Sequence, residues 1–310
     1  MQILNAQAVI NATPYDRLVR ELPPLLLRNI EAPQRHVHTL HNAGEPDASL
    51  LIMPAWGNGV GGVKIVNVSP GNANRGLPAV AAGYLLFDAV TGEHKALLDG
   101  GELTARRTAA VAAVAAARLA IDNAHRLLLV GSGRIASELA YAYRAVRPVN
   151  EVVVYSPTRA NAEKLVQQLR RDGFGAAVCE NLEHTARQAD IIASATLSTE
   201  PIIKGEWLHA GQHVSLIGGY TPAMREADDH AMTRAAVWID TPAGLNEAGD
   251  LIEPIMRGLL QQSGIKGTLQ DLCAQGPVPG RDQMITLFKS VGDASQDLAA
   301  ATIALSPSPR

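Results

Sequence analysis

The chain has 310 residues, of which 47% are hydrophobic, 18% charged and 4% aromatic. At about 150 residues per domain, this length predicts two domains with a buried core, and the composition excludes a disordered chain or a small disulfide-stapled scaffold. Lys and Arg total 27 against 30 Asp and Glu, giving a net charge of -3. Because this charge creates no broad positive field, we expect neither nucleic acid nor membrane as a partner.

The cysteine usage and the start of the chain bear on its compartment. Cys179 and Cys273 fit neither a disulfide framework nor a zinc-binding spacing. The first residues show no basic region followed by an apolar run, which is the pattern of a secretion signal. The longest apolar stretch, 109–117, is about half as long as a bilayer span. These features predict a cytoplasmic protein.

The N-terminal part of the chain predicts helices followed by a sheet. Residues 1–30 carry apolar residues at helical spacing, and we expect Pro23-Pro24 to divide or kink them into two short helices. From 35 to 98, short apolar runs alternate with Gly, Pro, Asn and Asp clusters, which predicts an antiparallel meander. Residues 88–93 are predicted to form a hairpin turn within it.

An alanine-rich stretch follows the meander. Thr104 is expected to cap a helix that extends to Ala120 and joins two domains. Beyond it, strand-like runs alternate with helical ones, which predicts a parallel sheet covered by helices. The strand-like runs are 126–130, 151–155, 176–179, 191–195, 213–217 and 237–240. Residues 286–305 are predicted to be helical and 306–310 to form a frayed tail.

A glycine pattern after the first of these runs predicts a dinucleotide site. The strand 127–130 leads into a Gly-x-Gly-x-x-Ala sequence and then a helix beginning near Ile135. Gly131 allows the tight turn, Gly133 lets the backbone approach a pyrophosphate, and Ala136 lets the helix pack against the strand. The helix N-terminus presents free N–H groups to the anion. A purely structural glycine turn is the alternative.

The end of the next strand bears on the choice of cofactor. An NAD site expects an acidic residue there for the ribose 2'-hydroxyl, but this strand ends in Tyr155-Ser156-Pro157-Thr158-Arg159. The hydroxyls of Ser156 and Thr158, together with Arg159, suit a 2'-phosphate, which needs donors and positive charge. We therefore predict NADPH in preference to NADH. The alternative is that Arg159 is simply an exposed residue in a turn.

Three cations outside the nucleotide region are candidate substrate residues. Lys64 lies in an otherwise apolar strand, so a buried position requires a partner or a lowered pKa. Arg107 lies at the start of the alanine-rich helix, and Arg35 precedes a strand. Taken singly, each of the three is more often a surface residue.

A histidine cluster, His36, His38 and His41, raises the question of a metal site. His-x-His places two imidazoles on one face of a strand, as in some metal sites. Since no acid or cysteine sits at a supporting spacing, we expect hydrogen-bonded or exposed histidines and no metal.

Several separated motifs together carry a family resemblance. They are Met53–Trp56, Lys64–Asn72, Gly76–Pro78, Leu103–Ala110, Gly131–Gly133, Gly218–Glu226 and Phe288–Gly292. Through these motifs, in this order, nearly the whole chain resembles the ornithine cyclodeaminase/mu-crystallin family. The resemblance implies an α/β fold with a Rossmann domain, which we place at 114–290. It also implies a discontinuous α+β domain for substrate binding and dimerisation, at 1–113 with 291–310, and a homodimer whose substrate-domain sheets join.

The resemblance also assigns roles to residues. Arg35 and Arg107 match arginines that hold the substrate carboxylate, and Lys64 matches a lysine next to the reacting carbon. Guanidinium groups grip a carboxylate bidentately, and a desolvated lysine near two arginines is able to exchange a proton. Met53 is expected to wall the pocket. Our expected cofactor contacts are Thr108, Gly131, Ser132, Gly133, Arg134, Ile135, Ser156, Thr158, Arg159, Ala195, Thr196, Gly218, Gly219, Ser290, Val291 and Gly292, of which the last three close over the nicotinamide side.

Members of the family catalyse different reactions, and one position favours a choice. The cyclodeaminases carry a catalytic Asp at the position that corresponds to Tyr220, and without that carboxylate the amine of ornithine lacks a base. The segment around Tyr220 resembles members that reduce Δ1-pyrroline-2-carboxylate and Δ1-piperideine-2-carboxylate to proline and pipecolate. We therefore expect an NADPH-dependent ketimine reductase. The alternatives are an alanine-type amino-acid dehydrogenase, an ornithine cyclodeaminase, and a non-catalytic protein that binds NADPH and a small ligand.

Overall fold

The computed structural model describes residues 1–307, without the side chain of residue 73. The last three positions of the predicted tail, 308–310, lie outside the described residues. The chain forms two compact units. One consists of Met1–Arg107 and the chain from Asp293 onward, and the other of Thr108–Gly292. Our sequence analysis placed these junctions at 113/114 and 290/291.

The first unit begins with a short strand and two helices, and continues with five strands. They are β1 (Gln2–Leu4), α1 (Ala6–Ala12), α2 (Tyr15–Leu26), β2 (His36–Leu40), β3 (Ala48–Gly57), β4 (Val60–Val68), β5 (Val80–Asp88) and β6 (His94–Asp99). Helix α3 (Gly100–Leu119) continues into the second unit. Its alanine-rich sequence has the highest helix propensity available.

The second unit alternates strands and helices. They are β7 (Arg126–Val130), α4 (Ala136–Arg144), β8 (Glu151–Tyr155), α5 (Arg159–Arg171), β9 (Gly175–Val178), α6 (Leu182–Gln188), β10 (Ile191–Ser194), β11 (His213–Leu216), α7 (Asp229–Arg234), β12 (Ala236–Ile239), α8 (Gly244–Glu247), α9 (Gly249–Met256), α10 (Leu269–Ala274) and β13 (Thr286–Lys289). The chain then returns to the first unit as α11 (Ala294–Leu305).

The sheet of the first unit has the order β1-β6-β5-β4-β3-β2. Strands β2 to β6 form the predicted antiparallel meander, and β1, which sequence analysis missed, adds in parallel to β6. Helix α11 packs against β3, β4 and β5 on one face of this sheet and also against α2. Since side chains alternate along a strand, every second residue of β3, β4 and β5 points towards α11.

Two predictions about the helices of this unit are wrong. The two short helices expected in residues 1–30 are present as α1 and α2, but Pro23 and Pro24 do not divide them, because both prolines lie inside the last part of α2, which ends at Leu26. Thr104 is not the cap of α3. The helix starts earlier, because the side chain of Asp99 accepts the N–H of Glu102 at 2.8 Å, and the Thr104 hydroxyl donates to the Gly100 carbonyl at 2.7 Å.

The second unit is a Rossmann-type domain. Its seven strands are all parallel and have the order β12-β13-β11-β10-β7-β8-β9. The chain moves outward in one direction from β7 to β9 and returns to the other side of β7 with β10. The sheet order therefore reverses between β7 and β10, where open parallel sheets bind ligands at the carboxyl ends of their strands. The predicted α/β fold class is confirmed.

The predicted strand runs of this unit are strands in the structure, with bounds that agree to within one residue. The prediction of a continuous helix over 286–305 is wrong, because Thr286–Lys289 forms β13 between β11 and β12. Its four residues are completely buried. A short apolar run of this kind does not distinguish a central strand from a buried helix. Within residues 1–307, no helix combines the length and the hydrophobicity required to cross a membrane.

Candidate substrate and dinucleotide sites

Lys64 lies in the middle of β4, on the face of the sheet that α11 covers. Its direct cross-strand neighbours are Met53 of β3 and Tyr84 of β5. All three side chains are buried, and Lys64 is only 3% exposed. The solvent-facing alternative for this lysine is therefore wrong. An ammonium group in this position needs a compensating partner.

That partner is Asp297 of α11. Its Oδ2 lies 2.6 Å from Lys64 Nζ, and its Oδ1 accepts a hydrogen bond of 2.8 Å from Arg107 Nε. Arg107 also donates through Nη1 to the side-chain oxygen of Gln296 at 2.8 Å. The side chains of Asp297 and Arg107 are almost fully buried. One carboxylate thus joins two of the predicted substrate residues.

The charges in this cluster set the protonation of Lys64. The pKa of Lys64 is lowered from 10.5 to about 8, mainly by burial; Asp297 opposes this change, and Arg107 and Arg35 contribute to it. Burial by itself raises the pKa of Asp297, but Arg107 and Lys64 outweigh it and hold that pKa below its usual range. Lys64 is therefore mainly an ammonium near neutral pH, and its proton is easier to release than that of an exposed lysine.

The other predicted substrate residues lie around this cluster. Met53 is 5% exposed beside Lys64. Arg35 is half-buried just before β2 and close enough for its charge to act on Lys64. Tyr84 has a buried hydroxyl that makes no hydrogen bond to any residue of the described chain. Burial and the charge of Asp297 raise the pKa of Tyr84 well above its usual value, so the phenol stays protonated.

The histidine cluster lies at the edge of the same sheet. His36 and His38 are exposed on β2, and exposed His41 pairs with Asp47 at 3.0 Å. Among the described residues, no group of His, Cys, Asp and Glu is arranged to hold a metal ion.

In the second unit, the Gly-x-Gly turn connects β7 to α4 as expected. Gly131 has a φ of 117°, and a Cβ there would lie 2.6 Å from the carbonyl oxygen of Ala195, so the turn itself requires glycine. A Cβ on Gly133 would meet no atom within 4 Å. Ile135, the N-cap residue of α4, makes no side-chain cap hydrogen bond. The turn therefore offers an open backbone and a helix N-terminus, which fit the pyrophosphate of a dinucleotide.

The predicted 2'-phosphate residues lie at the end of β8. Ser132 donates a hydrogen bond of 2.9 Å to Ser156, so these two hydroxyls lie together, and Thr158 precedes α5. The exposed guanidinium of Arg159 binds both carboxylate oxygens of Glu180, at 2.7 and 3.0 Å, and also Glu163 at 3.0 Å. The sequence analysis did not anticipate these two acidic partners.

The loops after β10 and β11 are tied together by Glu226. One of its oxygens accepts hydrogen bonds from the Ser194 hydroxyl and from the backbone and hydroxyl of Thr196. The other accepts from the backbone N–H groups of Gly218 and Gly219 at 2.7 and 3.2 Å. The predicted cofactor residues Ala195, Thr196, Gly218 and Gly219 thus belong to two loops that one buried carboxylate holds.

Lys289 and Asp250 lie beneath this carboxylate. Lys289 Nζ is 3.1 Å from Asp250 and 3.7 Å from Glu226, and none of the three side chains is exposed. Asp250 also accepts the backbone N–H groups of Glu226 and Ala227. Burial raises the pKa of Glu226, and Lys289 opposes that change.

A second acid holds the predicted nicotinamide-side segment. Asp240 accepts hydrogen bonds from the Ser290 hydroxyl at 2.7 Å and from the Gly292 backbone at 2.8 Å, and Val291 also donates to it.

Of the remaining predicted cofactor residues, Thr108 is buried in α3 and Arg134 pairs with Glu138. All the cofactor residues predicted from sequence therefore lie in the second unit, and the four predicted substrate residues lie in the first.

Sequence reasoning missed the acids that organise both sites. Three of them lie in sequences without a recognised motif: Asp240, Asp250 and Asp297. The fourth, Glu226, lies in the segment Gly218–Glu226, which carries the family resemblance, but it was not itself singled out. An Asp in the alanine-rich helix of residues 294–305 was the one available signal for Asp297, because a charge in an apolar helix needs a partner.

Comparison with known proteins agrees with this fold. The chain matches the ornithine cyclodeaminase/mu-crystallin family over residues 19–305. It is 37% identical to a Δ1-pyrroline-2-carboxylate reductase of Paracoccus denitrificans, over 86% of this chain and 88% of the relative. Among solved structures, it resembles the Thermococcus litoralis Δ1-pyrroline-2-carboxylate reductase in complex with NADH and L-proline, with a TM-score of 0.90, 28% identity and coverage of 98% and 96%. An archaeal alanine dehydrogenase dimer with bound NAD has a TM-score of 0.87 at 28% identity, with coverage of 98% and 94%.

These matches establish that the chain belongs to the ornithine cyclodeaminase/mu-crystallin family. Within that family it is an oxidoreductase that uses a nicotinamide cofactor. The family predicted from the sequence motifs is confirmed.

Replacing Gly133 by Ala tests the dinucleotide turn. The added methyl group meets no protein atom, so we expect the Tm of the coenzyme-free protein to stay unchanged. Because the methyl group occupies the space of an approaching pyrophosphate, the Kd for coenzyme should rise about tenfold or more. Gly264→Ala, at another open position of the same unit, is the control and should change neither value. An unaltered coenzyme Kd in Gly133→Ala would remove this turn from the cofactor site.

Proposed function

We propose that the protein is an NADPH-dependent reductase of cyclic ketimines that converts Δ1-pyrroline-2-carboxylate to L-proline and Δ1-piperideine-2-carboxylate to L-pipecolate. The observation that carries this proposal is the buried cluster of Lys64, Arg107 and Asp297 beside Arg35. It combines positive charge for a carboxylate with an amine whose proton is easily released. Relatives named for the reduction of Δ1-pyrroline-2-carboxylate support the choice of substrate.

Each side chain of the cluster has a proposed role. Arg107 uses two donors for Asp297 and Gln296, and its guanidinium carries five N–H donors in all, so it is able to hold a substrate carboxylate together with Arg35. Met53 walls the pocket beside Lys64. Lys64 gives a proton to the imine nitrogen. The reduced nicotinamide, when bound, supplies the hydride that the imine carbon accepts.

The protein's contribution is position and charge. Holding the imine in one orientation replaces a bimolecular encounter by a reaction within a complex. The carboxylate anchors fix the ring, and the adjacent ammonium stabilises the electron pair that moves onto nitrogen.

Two other reactions of this family are alternatives. Reductive amination of pyruvate is the second candidate, because the fold also matches an alanine dehydrogenase structure, and this reaction requires free ammonia. Cyclodeamination of ornithine is disfavoured, because Tyr220 occupies the position of the acid that the resemblance assigns to cyclodeaminases. A cytoplasmic location stays a prediction.

The preference for NADPH rests on the end of β8. The clustered hydroxyls of Ser132 and Ser156 and the nearby Arg159 provide donors and a positive charge, and the strand ends without the acid of an NAD site. The pairing of Arg159 with Glu180 and Glu163 competes with a 2'-phosphate, and this competition sets how strong the preference is.

We also propose a homodimer formed through the sheet face opposite α11. Ile3, Leu97, Leu85, Val63 and Pro54 are consecutive neighbours across five strands and form one apolar row on that face. Ile3 is 75% exposed and Leu97 40%. Ile65, 46% exposed, extends the row along β4. A contiguous apolar face of this kind is typical of a surface that a second copy covers.

The function is tested by the loss of nicotinamide absorbance when the protein meets NADPH and either cyclic imine without added ammonia. We expect rapid oxidation of NADPH with the imines and little with pyruvate plus ammonia.

Lys64→Met should lower kcat at least about a hundredfold, as loss of a general acid does, with the NADPH Kd unchanged. Lys95→Met, at an exposed lysine of the same sheet, is the control.

Other outcomes with the wild-type protein would establish the alternatives. Oxidation of NADPH only with pyruvate plus ammonia would establish the dehydrogenase. Ammonia release from ornithine would establish the lyase, and coenzyme binding without any turnover would establish a binding protein.

The coenzyme preference is tested at Arg159. Arg159→Gln should lower kcat/KM for NADPH about tenfold or more and leave that for NADH nearly unchanged, because a charge-assisted contact to the 2'-phosphate is lost. Glu180→Gln should act in the opposite direction, because it releases the guanidinium. Arg187→Gln, which also breaks an exposed Arg–Glu pair, is the matched control and should change neither value. Equal losses with both coenzymes would contradict the assignment.

The dimer is tested by light scattering coupled to size exclusion. The wild-type protein should have twice the 32.8 kDa mass of one chain. Ile65→Asp should give the monomer mass, because an unpaired carboxylate is costly to bury at an apolar interface. Val90→Asp, at an 83% exposed residue in a turn outside this row, should remain dimeric. A dimer that survives Ile65→Asp would place the interface elsewhere.

A further inference from the structure

The charges around Lys64 come from separate elements of the first unit. Arg107 of α3 and Arg35 before β2 lower the pKa of Lys64, as its burial does, and Asp297 of α11 is the group that raises it. Tyr84 of β5 faces the same cluster as a neutral phenol. Asp297 is fully buried and directs one oxygen to each cation, Oδ2 to Lys64 and Oδ1 to Arg107.

We propose that Asp297 is a positioning residue that keeps Lys64 protonated and in place as the proton donor to the imine nitrogen. The inference rests on the proposed reductase function. It adds a residue that no sequence motif indicates and a specific role for it. Asp297 acts through Lys64 and has no contact of its own with the reacting atoms in this role.

The proton balance explains why a carboxylate is needed there. As the imine carbon gains hydride, the electron pair of the C=N bond moves to nitrogen, which takes a proton from the Lys64 ammonium. The reduced coenzyme is oxidised, the imine becomes a secondary amine, and Lys64 is left neutral. Asp297 then favours the return of a proton from water to Lys64, which restores the donor for the next turnover.

Without this carboxylate, the cluster favours the wrong protonation state. A buried amine close to two arginines and without a counter-charge loses its proton at neutral pH. It then has no proton to give. A neutral Lys64 would also lose the 2.6 Å ion pair that holds Nζ at its present position on β4.

The test is the pH dependence of the single-turnover rate of imine reduction at saturating NADPH and imine. In the wild-type protein the rate should fall as the pH rises through about 8, where Lys64 loses its proton. In Asp297→Asn the fall should begin at least about one pH unit lower, so the loss is about fivefold or more at pH 8 and much smaller at pH 6. A purely structural role for Asp297 predicts an equal loss at every pH, and that result would overturn the inference.

Gln296→Met is the matched control on the same helix. It removes the other acceptor of Arg107 and leaves the charge beside Lys64 intact. It should raise the KM for the imine and leave unchanged the pH at which the single-turnover rate falls. If that pH shifts as much in Gln296→Met as in Asp297→Asn, the inference is overturned as well.

A double variant gives the answer if Asp297→Asn is too unstable to assay. Lys64→Met combined with Asp297→Asn removes both charges of the pair. Because Asp297 acts through Lys64, the double variant should retain the residual rate of Lys64→Met alone. A further tenfold loss would contradict the inference, provided that the NADPH Kd, measured by fluorescence, shows the second unit intact.

The failure of the proposed function and the failure of this inference give different results. If the wild-type protein reduces neither imine, the proposed function is refuted. If the wild-type protein is active but its pH profile is parallel to that of Asp297→Asn, only the role of Asp297 is refuted.

Discussion

The carboxylate of Asp297, buried between Lys64 and Arg107, is the interaction on which the candidate substrate site depends. Two cations buried close together repel each other and are costly to remove from water. A single acid on the covering helix compensates both, with one oxygen for each. Removing such an acid would leave uncompensated buried charge, so the position of α11 on the sheet and the chemistry of the site are linked.

The second unit uses buried acids in a comparable way. Glu226 joins the loops after β10 and β11, and Asp240 holds the segment after β13. These loops stand at the carboxyl ends of parallel strands, where a dinucleotide binds in folds of this type. The N–H and hydroxyl groups that donate to these acids hold the loops in one arrangement before any ligand arrives. Preorganisation of this kind lowers the entropy that binding must overcome.

The sequence was informative where local pattern and local structure coincide. The strands between residues 126 and 240 were predicted with nearly correct bounds, and the Gly-x-Gly turn and the meander of the first unit were also predicted. Errors occurred where a short segment is decided by its surroundings. Thr286–Lys289 is a central strand because β11 and β12 lie on either side of it, and α3 begins before Thr104 because the Asp99 side chain caps it.

Through the family resemblance, the sequence implied the cations of the candidate substrate site, and by itself it determined the α/β architecture, the Gly-x-Gly turn and the family. These features are encoded in residue spacing and in local motifs, which are independent of the rest of the fold. Only the tertiary structure decided that Lys64 is buried, that Asp297 is its partner and that Arg159 is engaged by Glu180. The first pair joins residues more than two hundred positions apart, and the second joins residues that follow the adjacent strands β8 and β9. Pairings of this kind arise from packing between elements, and no local pattern in the chain records them.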